Sequence, residues 1–299
     1  MTLPFPLSGD ARRGSPRGGH FCFGAAGAAL VYADMPRRNR SGFTLIEVLV
    51  VLGIIMILMA IILPAIEHVR HQAYRADCAS NLRQVGQALV SYCNDNHGNY
   101  PRTKYVVGAP LTKGTGAAAA DPFAVNGPDA NDLTAPWFLL MRAQKLPPVL
   151  MLCPYNDVNV FEPDKANPMT RGNFTDYRKN LGYSFANPYP DAAALAGGYK
   201  LTGKTSASFA VAADLNPGMT RRGYDARMAV AGAAWSQMKL ANSGNHEKAG
   251  QNVLYGDGHV DWKDNALVGV SGDNIYTNHM SQIEASPLTK DDSVLLPAE

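Results

Sequence analysis

The sequence predicts an α+β fold: a long N-terminal helix, its first half of membrane-spanning character, packed on a small antiparallel β-sheet. Three observations predict it. Residues 43–66 are apolar except for Thr44, Glu47 and the breakers Gly53 and Pro64. The residues that follow keep a helical period to about residue 95. Beyond them, short apolar segments alternate with turns rich in Gly, Pro and Asn, and Asp257-Gly258 gives a strong hairpin signal.

The helix comes first. At about 1.5 Å per residue, the apolar run crosses the ~30 Å hydrocarbon core of a bilayer. Arg37, Arg38 and Arg40 precede it, and the positive-inside rule keeps that side cytoplasmic, so the remainder of the chain is exported. Cys78, Leu82, Val85, Leu89 and Tyr92 then fall on one helical face, with Arg70, Arg75, Arg83 and Gln87 largely off it. Asn94, Asn96, Gly98 and Pro101 stop the helix, which is expected to cover residues 43–95 and to kink at Pro64.

Charge is unevenly distributed. The chain has 299 residues and a net charge of +2. Residues 1–42 carry six Arg against Asp10 and Asp34; the remainder is slightly acidic. That balance gives no basic footprint, so no nucleic-acid partner is expected. Four cysteines (Cys22, Cys78, Cys93, Cys153) form no CxxC pair, which argues against a zinc site and does not by itself establish a disulfide framework.

A secretory signal would have a shorter apolar region followed by a small-residue cleavage site. Here Ser41-Gly42 precedes Phe43-Thr44-Leu45-Ile46-Glu47. This arrangement resembles the signal of type IV prepilins and type II secretion pseudopilins: a basic leader ending in Gly, then Phe, then Glu five residues into the mature chain. The resemblance implies cleavage between Gly42 and Phe43, N-methylation of Phe43, and assembly through Thr44, Glu47 and Pro64. An ionisable residue inside a membrane segment needs a partner. Cleavage would create one, the α-amino group of Phe43; in the family, Glu pairs with the amine of a neighbouring subunit.

That resemblance sets the expected domains: residues 1–42 as leader, 43–66 as transmembrane and filament-core helix, 67–101 as helix continuation and end, 102–280 as a periplasmic α+β domain, and 281–299 as a flexible tail. Met35 offers a shorter start, with residues 1–34 an over-extended beginning. The implied partners are membrane lipid, like subunits, the prepilin peptidase/methyltransferase and the inner-membrane assembly platform. The implied role is a non-enzymatic subunit of a secretion pseudopilus or type IV pilus-like filament, held in the inner membrane with a periplasmic C-terminal domain. The rival reading is an exported binding or enzymatic domain that uses the helix only as an anchor.

Within the exported part, residues 107–133 are expected to be a flexible excursion, 135–146 a short helix, 149–153 a strand, 162–180 a loop, and 182–189 and 207–214 strands. A two-residue type I′ turn at Asp257-Gly258 pairs Tyr255 with Val260 and Val253 with Trp262, placing those four on one apolar face. His246 to Asp257-Gly258 is similar to the H-X9-DG domain that follows many prepilin-type N-termini, with ten intervening residues instead of nine.

Other chemistry is weaker. "GYKLTGKT", residues 198–205, matches the phosphate-loop expression, but that mechanism needs a strand before and a helix after it; the order here is reversed. His246, His259 and Asp261 offer the start of a metal site. Calcium, suggested by its presence in a C-terminal loop of major pseudopilins, would draw on Asp257, Asp261, Asp264 and Asp273; otherwise no cofactor is expected. Cys78 and Cys93, about 22 Å apart along one helix, cannot bridge each other, whereas Cys153 can pair with either in an oxidising compartment.

Overall fold

In the computed structural model the described residues are 42–155, 168–220 and 223–298, with the Pro64 side chain left out. The chain divides into two units, Met1–Ile55 and Met56–Glu299. Helix α1 runs Leu45–Asp95 and is α-helical at both Gly53 and Pro64. From residue 43 to 63 its large apolar side chains are all exposed in the single chain.

In the second unit α1 does what its periodicity predicted. Cys78, Leu82, Val85, Leu89 and Tyr92 are buried on one face. They pack against a five-stranded antiparallel sheet of order β4-β3-β2-β1-β5. Its strands are β1 Tyr183–Ala186, β2 Ala210–Asp214, β3 Gln251–Tyr255, β4 Val260–Lys263 and β5 Leu295–Leu296. Gly86 lets the helix approach closely: a Cβ there would come within 2.9 Å of Leu254 Cδ1. Helix α2, Ala135–Ala143, forms where the sequence placed it. It buries Trp137 against Phe185 (ring centroids 4.5 Å apart) and Phe138 against Phe174.

The structure corrects five expectations. Residues 149–153 are no strand; Pro148–Met151 is a 3-10 turn, as Pro147-Pro148 favours, since proline fixes φ and removes a ladder donor. Residues 107–133 lack regular elements but are tied down. Asp132 is fully buried and accepts from the N–H and Oγ1 of both Thr115 and Thr134, from Ala135 N and from Asn173 Nδ2, all at 2.7–3.0 Å. Within 162–180, the described part contains a 3-10 turn at Pro168–Thr170 and one helical turn at Tyr177–Asn180; residues 162–167 lie outside the described residues.

The tail from residue 281 is not loose either. Leu295–Leu296 joins β1 as an edge strand, and Val294, Leu295 and Leu296 are buried. Asn187 N donates to Val294 O (2.8 Å), and Asn216 Nδ2 donates to Leu295 O (2.9 Å). Two short apolar residues after a polar stretch give too brief a pattern to read as a strand; their pairing is set by β1.

The fifth correction is the hairpin register. The pairs are Leu254↔Val260, Val253↔Asp261 and Asn252↔Trp262, one residue from the expected set. A type I′ turn requires positive φ at both central residues. Here Gly258 has φ +89°, while Asp257 is not among the positive-φ residues. The loop is instead three residues long, closed by Gly258 N to Tyr255 O (2.9 Å) and Tyr255 N to His259 O (3.0 Å). The slip exchanges the two faces. Asn252, Leu254, Val260 and Trp262 share the side that meets α1, where the Arg75 guanidinium lies 4.1 Å from the Trp262 ring. Tyr255 turns the other way and stacks on His259 (4.5 Å, 12°).

Candidate functional site

Two places carry chemistry. The first is the start of α1. Gly42 has nothing within 4 Å of where a Cβ would sit, and Phe43 is 87% exposed. Thr44 N and Thr44 Oγ1 donate to Glu47 Oε2 (2.7 and 2.9 Å), and Glu47 N donates back to Thr44 Oγ1 (3.3 Å). This is a capping box, in which Thr44 and Glu47 satisfy each other's otherwise unpaired groups at the helix start. The T-x-x-E spacing before an apolar run was its signal, and the sequence reading passed over it. Glu47 thus has a partner inside its own chain before any neighbour is present.

Behind the cap, a long stripe of exposed Leu, Ile, Val and Met cannot remain in water. Length, composition and exposure fit a single-pass membrane helix. A glycine just before the helix, a capped acid and an uncovered apolar helix are the features of a prepilin-type N-terminus. The comparisons place it further. Residues 37–63 match the prokaryotic N-terminal methylation motif. The chain is 38% identical over 82 residues to type II secretion system core protein G of Pseudomonas aeruginosa and 35% identical over 83 residues to that of Aeromonas hydrophila. These matches cover 27% and 28% of this chain and 57% of each relative. No solved structure matches significantly. The N-terminal region is therefore similar to that of type II secretion pseudopilins, and the chain spans a little over half the length of the relatives it matches.

The second place is buried. Cys78 from α1, Cys153 after the 3-10 turn, Asp214 at the end of β2 and His246 at the end of the turn Gly244–His246 converge. All are at most 5% exposed, and one ligand-type atom from each lies within 4.8 Å of the others. His246 Nε2 is 3.2 Å from Asp214 Oδ2 and 4.0 Å from Cys153 Sγ. Asp214 Oδ2 also accepts from Asn252 N (2.7 Å), and Oδ1 from Asn245 Nδ2 (3.4 Å). Tyr155 and Trp262 flank the imidazole.

Burial alone would lower the His246 pKa, but hydrogen bonds to Asp214 and Cys153 and the Asp214 charge outweigh it and raise it to about 9. The hydrogen bond from Cys78 lowers Cys153 to about 7 against the opposing effect of burial, and the same contact raises Cys78.

Other candidate residues are dispersed. Cys153 meets Cys78 rather than Cys93, and all three thiols are free. His259 sits half-exposed at the hairpin with Asp257, and Asp261 pairs with Lys263. The set His246, His259 and Asp261 does not gather, because the register slip turns His259 onto Tyr255. Nor do Asp257, Asp261, Asp264 and Asp273 gather: among the described residues only Asp273 joins a three-ligand group, with His279 and Asp292. At the phosphate-loop look-alike the short helix Ala192–Ala196 precedes and β2 follows, so no helix N-terminus faces residues 198–205.

Proposed function

We propose that this chain is a structural pseudopilin subunit, cut after Gly42, methylated on Phe43 and assembled through its apolar helix into a filament of like subunits. The observation that carries the proposal is the exposed apolar stretch of residues 43–63, which lies within the methylation motif matched at residues 37–63. Lipid covers that surface before assembly and neighbouring helices cover it afterwards. The prepilin peptidase/methyltransferase and the inner-membrane assembly platform are the partners such processing requires. The C-terminal unit lies on the exported side, by the arginine flank.

The capping box divides the work of Glu47. In the precursor its carboxylate is held by Thr44. After cleavage the new amine of a neighbour competes for the same oxygens, and a full charge is a stronger partner than a neutral donor. The test is Glu47→Ala in cells that assemble the parent. Cleavage should persist, and incorporation into sheared filaments should fall at least tenfold. Filament yield equal to the parent's would reject this role.

A second reading has one observation in its favour. The unit after Met56 carries the buried Cys78–Cys153–Asp214–His246 cluster, and the curated relatives align with little more than a quarter of the chain. An exported ligand-binding domain anchored by the same helix would use that unit. It predicts a processed chain that stays in the membrane and forms no filament.

A further inference from the structure

We propose that Cys78, Cys153, Asp214 and His246 bind one thiophilic divalent cation of the zinc class, in a closed structural site that pins α1 to the sheet. The donor set is two thiols, one imidazole and one carboxylate, the types zinc takes in four-coordinate sites. A tetrahedral ion with bonds of about 2.0–2.3 Å sets its ligands about 3.3–3.8 Å apart. The 3.2 and 4.0 Å separations at His246, and the 4.8 Å limit on the whole set, bracket that range.

Charge and surroundings agree with it. Asp214 is fully buried, and no Lys or Arg of the described residues pairs with it. A buried carboxylate needs a cationic partner: without metal that partner is the His246 imidazole, 3.2 Å away, and with metal the dication would take its place. Asn252 and Asn245 hold the Asp214 oxygens in place, as the supporting hydrogen bonds of metal ligands do. The four ligands come from four separate stretches of chain spanning residues 78–246. That long-range assembly leaves no CxxC signature in the sequence. Cys93 stays apart, buried against the backbone N–H of Gly203.

The competing arrangement is a Cys78–Cys153 disulfide. The two are separable on the full-length chain purified in detergent, by elemental analysis, native mass spectrometry and cobalt(II) loading. The expected result is about one equivalent of zinc, reduced thiols, and thiolate-to-cobalt charge-transfer bands after exchange. Cys78→Ser and His246→Ala should each lose at least tenfold in metal affinity, while Cys93→Ser and His259→Ala keep it. A metal-free chain two hydrogens lighter, with Cys78 and Cys153 peptides linked, would overturn the proposal. So would undiminished metal in Cys78→Ser. Should the ligand variants fail to fold, the parent's cobalt spectrum decides: bands without sulfur charge transfer reject the site.

Discussion

Asp132 and Glu47 are both acids satisfied by hydrogen bonds, Asp132 in the interior by donors from three stretches of chain and Glu47 at the exposed start of α1 by Thr44 three residues away. Asp132 collects six hydrogen bonds from Thr115, Thr134, Ala135 and Asn173. Removing it leaves those donors unpaired in the interior, where each costs about 1–3 kcal/mol. Asp132→Ala should therefore lose about 3–5 kcal/mol in denaturant unfolding of the unit that begins at Met56; a loss under about 1 kcal/mol would show that the loop is not held by this carboxylate. The sequence offered the residue but not the burial, because the donors Thr115 and Asn173 lie 17 and 41 positions away.

The strands show most clearly what a pattern can and cannot give. The second half of helix α1 was legible because one face is apolar and the other polar, so periodicity there reports burial directly. Strand β3 is buried along its whole length, and alternation says nothing when both faces are covered; the register then hung on the turn type, which was misjudged. Strand β5 is held by its neighbours.

Near β5, Asp273 Oδ2 accepts from Ser293 N (3.1 Å). Burial raises the Asp273 carboxyl to about 7, with the Asp292 charge adding and the Ser293 N–H opposing. Its folded value therefore lies above the ordinary carboxylate value near 4. A raised carboxyl stabilises the fold fully below about pH 4, and that contribution is lost as pH rises through about 7. Asp273→Asn, measured in chelator, should melt about 2–5 °C above the parent at pH 8, with the difference shrinking towards pH 4. A difference independent of pH would contradict the assignment.

The two units of the chain answer different demands. The first is specified locally, by a motif whose residues are contiguous: Gly42, Phe43, Thr44, Glu47 and the apolar run. The second is specified by long-range contacts, and its buried Cys78–Cys153–Asp214–His246 cluster could not be assembled from spacing. Its residues were each visible, but His246 was set beside His259 and Asp261, and Cys153 was left between two partners.

The proposed subunit begins at Phe43 once the Gly42–Phe43 bond is cut. Intact-mass and N-terminal peptide mass spectrometry of the membrane fraction tests it most directly, with and without an active prepilin peptidase. The predicted result is a chain starting at N-methylated Phe43 when the peptidase is present and an uncut Gly42–Phe43 bond when it is absent. A chain that keeps that bond in the presence of the peptidase would contradict the account.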